Sequence, residues 1–346
     1  MTTANLDATD LKAVDFQGLI REDVMQQIWD ISAIPLPFTD LVGTDTTGND
    51  YCSWTTDKLA DPTLGGWVVD GADSDQNDSA TGSRIGNHCG ILTREVQVST
   101  RARESDTIGT RDELAYQVMM RQRELRRNVE ANALGIQGSQ ESDAESDIPG
   151  IPAGLAAMVA KFDSGSGGSG GVFNSGIWSP WTPGAAGVAL TETMVRDAAQ
   201  AAWESGGDPS HMMSVPSLIR AFSEYCFTSS SRIATLTAET NQKGPATAMG
   251  SVNVFLTDFG VELRMIANRL QQTYLDGATD AAASLFILDP AYARLTYLHG
   301  YRTEDLAKTG LSDKRLMAVD WTLKALEPLA HRVIPDINPA LPVTQS

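Results

Sequence analysis

The chain has 346 residues and 42% hydrophobic residues, enough apolar side chains for one or two folded domains. No segment reaches the roughly 18 apolar residues of a membrane span, and the N-terminus lacks the basic and apolar parts of a secretory signal. The net charge of −18 repels phosphate backbones, which argues against nucleic-acid binding as the main activity. Three cysteines in such a chain favour a reducing compartment over a disulfide framework.

Residues 1–43 are predicted to form an N-terminal arm. Apolar side chains at helical spacing predict a short helix over Arg21–Ile31. The prolines in the segment Ile34–Pro37 then favour an extended path into the next element.

Residues 44–98 are predicted to form a long hairpin. Cys52, Trp54 and Thr56 alternate along its first strand, and Val96 and Val98 share a face of its second strand. The mostly polar connection over 57–90 is far longer than the roughly 12–15 residues usual for a loop without a function. Because a two-stranded ribbon is only marginally stable alone, we expect another copy of the chain to support it.

The hairpin tip is rich in aspartate, which is typical of either a solvated loop or a calcium-binding loop. Asp73, Asp75 and Asn77 alternate as calcium ligands do. An EF-hand loop needs glycine at its sixth position and glutamate at its twelfth, where this chain has Asp78 and Arg84. The sequence therefore favours a solvated acidic loop.

Residues 110–137 are predicted to form one long amphipathic helix. Thr110 and Glu113 fit a capping box at its start, and Leu125 and Val129 lie on its apolar face. Gly138 marks its exit. At 1.5 Å per residue the helix would be a strut of about 40 Å.

The outer face of this helix carries four basic side chains: Arg121, Arg123, Arg126 and Arg127. They could form a stripe that binds nucleic acid. Alternatively, they could pair with acids such as Glu124 and Glu130, in the same helix or between copies. The acidic balance of the whole chain favours pairing with acids.

The second half of the chain indicates a mixed α+β region. The segment Ser164–Gly171 reads SGSGGSGG and predicts a flexible surface loop or hinge. Helices are predicted to begin near Thr191 and after Pro216. Strands are predicted at His211–Val215, Ser251–Thr257, Val261–Ile266, Ser284–Leu288 and Leu316–Leu326.

The sequence shows no catalytic or metal-binding constellation. Its four histidines are scattered, the neighbours His88 and Cys89 are the one His/Cys pair, and CxxC is absent. Cys52 and Cys89 can oppose each other across the hairpin, where we expect free, packed thiols. We predict no catalytic residue, no metal ligand and no cofactor. A hydrolase or metal enzyme with a flexible lid is the alternative from another class.

A series of short sequence words follows in a fixed order between about Tyr51 and Ile337. The words are WTTDKLA at 54–60, VDGAD at 69–73, GNHC at 86–89, VQVS at 96–99, ELRRNVE at 124–130, WESGG at 203–207, MMSVP at 212–216, TDFG at 257–260, LDP at 288–290, LAKTG at 306–310 and KR at 314–315. Together they resemble the major capsid proteins of tailed bacteriophages with the Hong Kong 97-type fold, most closely the podovirus-associated branch.

The resemblance implies an α+β Hong Kong 97-type capsid fold. Its parts would be an N-terminal arm at 1–43, an extended loop (E-loop) hairpin at 44–98, a peripheral domain at 99–150 and 292–346 with spine helix 110–137 and a peripheral sheet, and an axial domain at 151–291. The segment Tyr292–Ile337 would return into the peripheral sheet.

The resemblance also implies a structural subunit that self-assembles, as hexamers and pentamers, into an icosahedral shell enclosing the phage DNA genome. Expected partners are further copies of the chain, separate scaffold, portal and decoration proteins, and packaged DNA as non-specific cargo. Assembly would take place in the cytoplasm of the bacterial host, and the product would be the virion capsid. A bacterial protein nanocompartment of the same fold, which encloses protein cargo, is the alternative.

Contacts between copies are expected mainly at the hairpin and at the basic face of the helix. The candidate contact residues are Trp54, Asp57, Lys58, Asp70, Asp73, Arg84, Arg94, Arg126 and Arg127.

Overall fold

The computed structural model describes residues 35–59, 64–65, 67–71, 82–105, 112–184, 187–228, 253–276, 280–308 and 310–344. The predicted helix over Arg21–Ile31 and the aspartates Asp73, Asp75 and Asp78 lie outside these residues. No helix in the described ranges is long and apolar enough to cross a membrane.

The chain mixes helices with strands throughout. The helices are α1 Pro37–Leu41, α2 Thr100–Glu104, α3 Glu113–Ala133, α4 Leu155–Met158, α5 Glu192–Glu204 and α6 Pro216–Thr228, with 3₁₀ turns at Pro290–Tyr292 and Pro328–Ala330. The strands are β1 Gly43–Thr46, β2 Tyr51–Thr56, β3 Ser83–His88, β4 Gly90–Ser99, β5 Ala160–Lys161, β6 Phe173–Asn174, β7 Ile177–Trp178, β8 His211–Ser214, β9 Val254–Leu256, β10 Glu262–Ala267, β11 Tyr274–Asp276, β12 Asp280–Leu288, β13 Ala293–Asp305, β14 Ser312–Ala325 and β15 Arg332–Ile337.

The first sheet is built on the long hairpin of β13 and β14 and has the order β1-β13-β14-β4. It includes β1 and β4, although the sequence placed residues 44–98 in the extended hairpin. The helix α3 packs on β4 and β14. Its side chains Leu114, Leu125 and Val129 are buried in one core with Trp321 and Leu323 of β14, so this face holds the strut against the sheet.

The strut is shorter than predicted: α3 spans Glu113–Ala133, 21 residues, which is about 31 Å. Asp112, rather than Thr110, is the N-cap, and its carboxylate accepts hydrogen bonds from the backbone of Leu114 and Ala115. The helix ends at Ala133 with Leu134 as its C-cap, and Gln137 donates from Nε2 to the Asn132 carbonyl in the last turn at 2.6 Å.

The second sheet has the order β5-β15-β12-β8-β10-β9, and β11 pairs with β12. The helices α5 and α6 cover one face, where Val195 and Phe222 pack with Leu263 and Leu285. On the other face, Phe286 belongs to the same core as α3. This sheet therefore separates two hydrophobic cores.

The last strand, β15, does not follow the expected return of Tyr292–Ile337 into the peripheral sheet. Of the strands in Tyr292–Ile337, β13 and β14 enter the first sheet, whereas β15 pairs antiparallel with β12 and parallel with β5. All six residues of β15 are buried. A strand with Val333 and Ile334 buried on opposite faces needs a covered position inside a sheet, and the second sheet provides it.

Local signals placed several elements correctly. Thr191 is the N-cap of α5 and accepts a hydrogen bond from the Met194 backbone at 3.1 Å. The strands predicted at His211–Val215 and Ser284–Leu288 lie within or beside β8 and β12, and the one predicted at Leu316–Leu326 overlaps β14.

The SGSGGSGG segment, predicted as a flexible surface loop or hinge, is partly packed: Ser164 and Ser166 are buried, whereas Gly165, Gly167 and Ser169 are exposed. Ser166 is 9% exposed, and its hydroxyl donates to the buried Asp336 carboxylate at 2.6 Å. A Cβ on Gly171 would lie 2.1 Å from the Ala157 carbonyl oxygen, so only glycine permits this close approach. At Gly171 the absence of a side chain therefore permits close packing.

Candidate intersubunit surfaces

The root of the β2–β3 ribbon is held by its own subunit. Asn87 is fully buried; its amide donates to the carbonyls of Leu323 (2.9 Å) and Ala153 (3.3 Å), and its oxygen accepts from the Ala153 backbone. The Trp178 indole donates to the Gly86 carbonyl at 2.9 Å. These bonds to three separate parts of the body hold the ribbon root in place.

Trp54 also lies against its own chain. Its indole nitrogen donates to the Ala325 carbonyl at 3.1 Å, and its ring packs on the core below the first sheet. The sequence assigned this side chain to a neighbouring copy. The end of β14 passes beneath the ribbon, so the Trp54 side chain is already partly covered by its own subunit at Ala325.

Beyond Thr56 the chain exposes a group of large apolar side chains, which we call the apolar tip. Its members are Leu59, Leu64, Trp67, Val68 and Val69. Trp67 is 97% and Val69 is 79% exposed. Several large exposed apolar side chains on one short segment are a candidate contact with another molecule.

The charged candidates of the ribbon are solvent-exposed. Asp57, Lys58 and Asp70 lie beside the apolar tip on the surface. Arg84 donates from Nε and Nη2 to the Ser53 hydroxyl, at 3.1 and 2.7 Å, across the ribbon itself. Charged residues around an apolar patch form the polar rim typical of protein interfaces.

The basic face of α3 is partly paired within the subunit. Arg121 forms an ion pair with Glu124 at 2.6 Å, and Arg94 of β4 approaches the same carboxylate at 3.9 Å. The guanidinium of Arg126 lies over the Tyr301 ring, 5.3 Å from its centre. Arg127 has a buried Nε without a hydrogen-bond partner in the described ranges.

Glu130, expected to pair with these arginines, is instead fully buried. Its carboxylate accepts from the backbone of Phe38 and Thr39 and from the Asn268 side chain, all at 2.7 Å, and from the Thr39 hydroxyl at 2.5 Å. The sequence placed Glu130 with the charged side chains of the helix. It could not show that Phe38 and Thr39, about ninety residues earlier in the chain, cover this side chain.

The described residues do not form a recognisable reaction centre, and no three of their His, Cys, Asp and Glu side chains could hold a metal together. Burial raises the pKa of the Cys89 thiol to about 12, which keeps it protonated and unreactive at neutral pH. His88 lies against the Tyr51 ring, with centroids 4.7 Å apart.

One cleft that would suit a small molecule has a volume of about 720 Å³ and lies between the C-terminal end of β2 with residues 57–59 and the end of α5. The described residues lining it include no histidine or cysteine. Its one serine, Ser205, donates to the Ala201 carbonyl at 2.8 Å and accepts from Arg332 at 3.0 Å. It therefore lacks the adjacent base that would activate a nucleophile.

Comparison with solved structures shows the same fold in shell-forming proteins. The capsid of a native GTA particle matches with a TM-score of 0.58 and 11% identity, over 94% of this chain and 98% of that chain. The capsid of cyanophage P-SCSP1u matches with a TM-score of 0.55 and 14% identity, over 97% and 100%. The SrpI encapsulin from Synechococcus elongatus PCC 7942 matches with a TM-score of 0.52 and 12% identity, over 93% and 94%.

These likenesses establish the α+β Hong Kong 97-type fold. The podovirus-associated branch stays a prediction. A search of curated protein sequences found no match. The model of one family, described as SU10 major capsid protein, matches residues 2–338. Because this match spans nearly the whole chain, the protein belongs to the SU10 major capsid protein family.

Proposed function

We propose that this chain is the major capsid protein of a tailed bacteriophage and that its copies close an icosahedral shell around the DNA genome. Family membership makes it a shell-forming structural subunit of a virion capsid and not an enzyme. The observation that best supports the proposal is the apolar tip, the segment that follows β2, in which Trp67 is almost fully exposed. Such a tip is stabilised when another copy covers it.

Hexamers and pentamers fit this architecture. A ribbon that reaches onto a different surface of the next copy makes a heterologous contact, and heterologous contacts close into rings when the rotation permits. We therefore place Asp57, Lys58 and Asp70, with the apolar tip, in the contact between neighbouring copies. Asp73 belongs to the same proposed surface by sequence alone.

DNA would be non-specific cargo. The chain carries a net charge of −18, and Arg121 of α3 is paired with Glu124. This acidic balance opposes the phosphate contacts on which non-specific DNA affinity depends. We propose separate scaffold, portal and decoration proteins as further partners, and assembly in the cytoplasm of the bacterial host.

Electron microscopy of the chain, expressed in bacteria together with its proposed scaffold protein, tests the shell. We expect closed particles of uniform size, and protein that stays monomeric at all concentrations under these conditions would contradict the proposal. The encapsulin match makes a protein nanocompartment the second candidate. Nuclease-protected DNA inside particles purified from infected cells supports the capsid, whereas a specific protein cargo and no DNA supports the nanocompartment.

Replacing Arg126 and Arg127 together with glutamate should impair assembly. The exposed Arg126 side chain contacts Tyr301 within its subunit and keeps its charge available for an acidic neighbour. Charge reversal at an interface places like charges together, which costs several kcal/mol. Particle yield measured by sedimentation checks this expectation.

The control is Gln122→Glu, which adds a negative charge to the same helix without removing a basic side chain. It should assemble normally. If the double variant forms normal shells but packages less DNA, the basic face binds nucleic acid instead.

A further inference from the structure

The short helix α1 is capped by a residue from another element. Its own N-cap, Leu36, has no side-chain acceptor. The backbone N–H groups of Phe38 and Thr39 point instead to the two oxygens of Glu130, each at 2.7 Å. A carboxylate at this position satisfies donors that would otherwise be left unpaired at the helix start.

A hydrophobic anchor accompanies this cap. Phe38 is fully buried in the core below the first sheet, and Val42 follows it into the same core. The anchor therefore fixes the position of α1 on the body. The cap and the buried ring together hold one turn of chain.

The same carboxylate also binds the second sheet. Asn268, which follows β10 and is fully buried, donates from Nδ2 to the same Glu130 oxygen as the Phe38 backbone. Asn268 is itself fixed, because its backbone donates to the Ser214 carbonyl and its side-chain oxygen accepts from the Leu270 backbone. One buried acceptor therefore joins three parts of the chain.

Glu130 has no cationic partner among the described residues. Its negative charge is balanced by four donors alone, three from neutral groups of the arm and one from the Asn268 amide. A buried charge is stable only while such donors are in place. If either the arm or the end of β10 is displaced, the Glu130 carboxylate loses hydrogen-bond donors. The positions of the arm and of the end of β10 are therefore coupled through this side chain.

We infer that Glu130 is a positioning residue that anchors the N-terminal arm to the spine helix and couples the position of the arm to that of the second sheet. The consequence for assembly rests on the proposed function: identical copies in a shell must present the arm from the same point. The anchor itself is a property of the single subunit and can be tested without a shell.

Hydrogen exchange of the unassembled subunit, followed by mass spectrometry, is the test. In Asn268→Ala the amides of Phe38 and Thr39 should exchange about tenfold faster or more, although Asn268 lies 229 to 230 positions along the chain from them, because a charge-assisted bond to their acceptor is lost. In Glu130→Gln the same amides should exchange faster still. The protection of β14 should not change in either variant.

Coupling must also act in the opposite direction. Thr39→Val keeps the side-chain shape and removes one donor to Glu130, so exchange at the Leu270 amide should increase. The control is Glu124→Gln on the exposed face of α3, which should leave all these amides unchanged. If Glu130→Gln unfolds the subunit, the exchange rates in Asn268→Ala and Thr39→Val still test the coupling.

Unchanged exchange at Phe38 and Thr39 in Asn268→Ala, together with unchanged exchange at Leu270 in Thr39→Val, would overturn the inference. Shell yield is measured separately. Anchor variants that show the coupled exchange should give fewer closed particles than the unmodified chain. If the unmodified chain forms no particles even with its proposed scaffold protein present, the proposed function fails while the exchange result still stands.

Discussion

Replacing Trp67 with alanine should abolish shell assembly and leave the stability of the isolated subunit unchanged. Its side chain is 97% exposed, and substitutions at such positions usually change the free energy of unfolding by about 0.5 kcal/mol or less. Buried at a contact, a tryptophan is often a hot spot whose truncation costs about 2 kcal/mol or more. Because that loss recurs at every contact of a closed lattice, assembly should fail. Sedimentation and thermal unfolding measure the two effects.

Trp54 on the same ribbon is the matched control and should behave in the opposite way. Its indole donates to the Ala325 carbonyl and packs on the core, so Trp54→Ala should cost the subunit about 2–4 kcal/mol. Trp54→Phe keeps the packing and should cost only about 1 kcal/mol for the lost hydrogen bond. If Trp54→Ala instead leaves unfolding unchanged and blocks assembly, the original assignment of Trp54 to a neighbouring copy is correct.

The two tryptophans show why sequence located the ribbon but not its contacts. Alternation reveals which residues of a strand share a face, and the spacing identified the strand that carries Trp54. It contains no information on which molecule covers that face. The partner, Ala325, lies 271 positions later, and that proximity exists only after β14 has folded back beneath the ribbon.

Elements governed by local signals were predicted well. The capping residue Thr191 placed α5, and apolar patterning placed β8, β12 and the long α3. The ends of α3 were less accurate, because Asp112 and Gln137 supply cap contacts that compete with the predicted ones. Cap choice depends on only a few bonds, so boundaries shift easily.

Positions that depend on distant chain segments were missed. Glu130 was expected on a charged surface, but α1 covers it. The SGSGGSGG segment was expected to be mobile, but Asp336 and the Ala157 backbone hold it in place. The position of Glu130 makes sense only once its partners about ninety residues earlier are known. The position of the SGSGGSGG segment makes sense only once the contact with Asp336 and the close approach to the Ala157 backbone are known.

Acid should destabilise the subunit through His331, which joins the two sheets. The side chain is fully buried between the end of β14 and the start of β15, and its Nδ1 accepts from the Asp289 backbone at 3.2 Å. Burial lowers the pKa of His331 from 6.5 to about 4, against the opposing effects of the Tyr292 backbone and Asp289. The imidazole is therefore neutral in the folded subunit at neutral pH.

The sign follows from the direction of this shift. The unfolded chain binds the proton more readily than the folded one, so the contribution of His331 to stability is complete above pH 6.5 and is lost as pH falls towards 4. A difference of this size corresponds to about 3 kcal/mol. Urea unfolding of the unassembled subunit at pH 7 and at pH 4 measures the loss.

The variant His331→Asn isolates this contribution from the carboxylates that titrate over the same range. Its amide oxygen can replace Nδ1 as acceptor for Asp289, and it takes up no proton. The stability gap between the unmodified chain and the variant should therefore narrow by about 3 kcal/mol from pH 7 to pH 4. The control is His211→Asn. Burial, and then Arg264, lowers the pKa of His211, but this half-buried side chain is better hydrated than His331. The difference in unfolding free energy between the unmodified chain and His211→Asn should therefore change less with pH. A gap at His331→Asn that stays constant with pH would show that His331 is not the group whose protonation loosens the junction between the sheets.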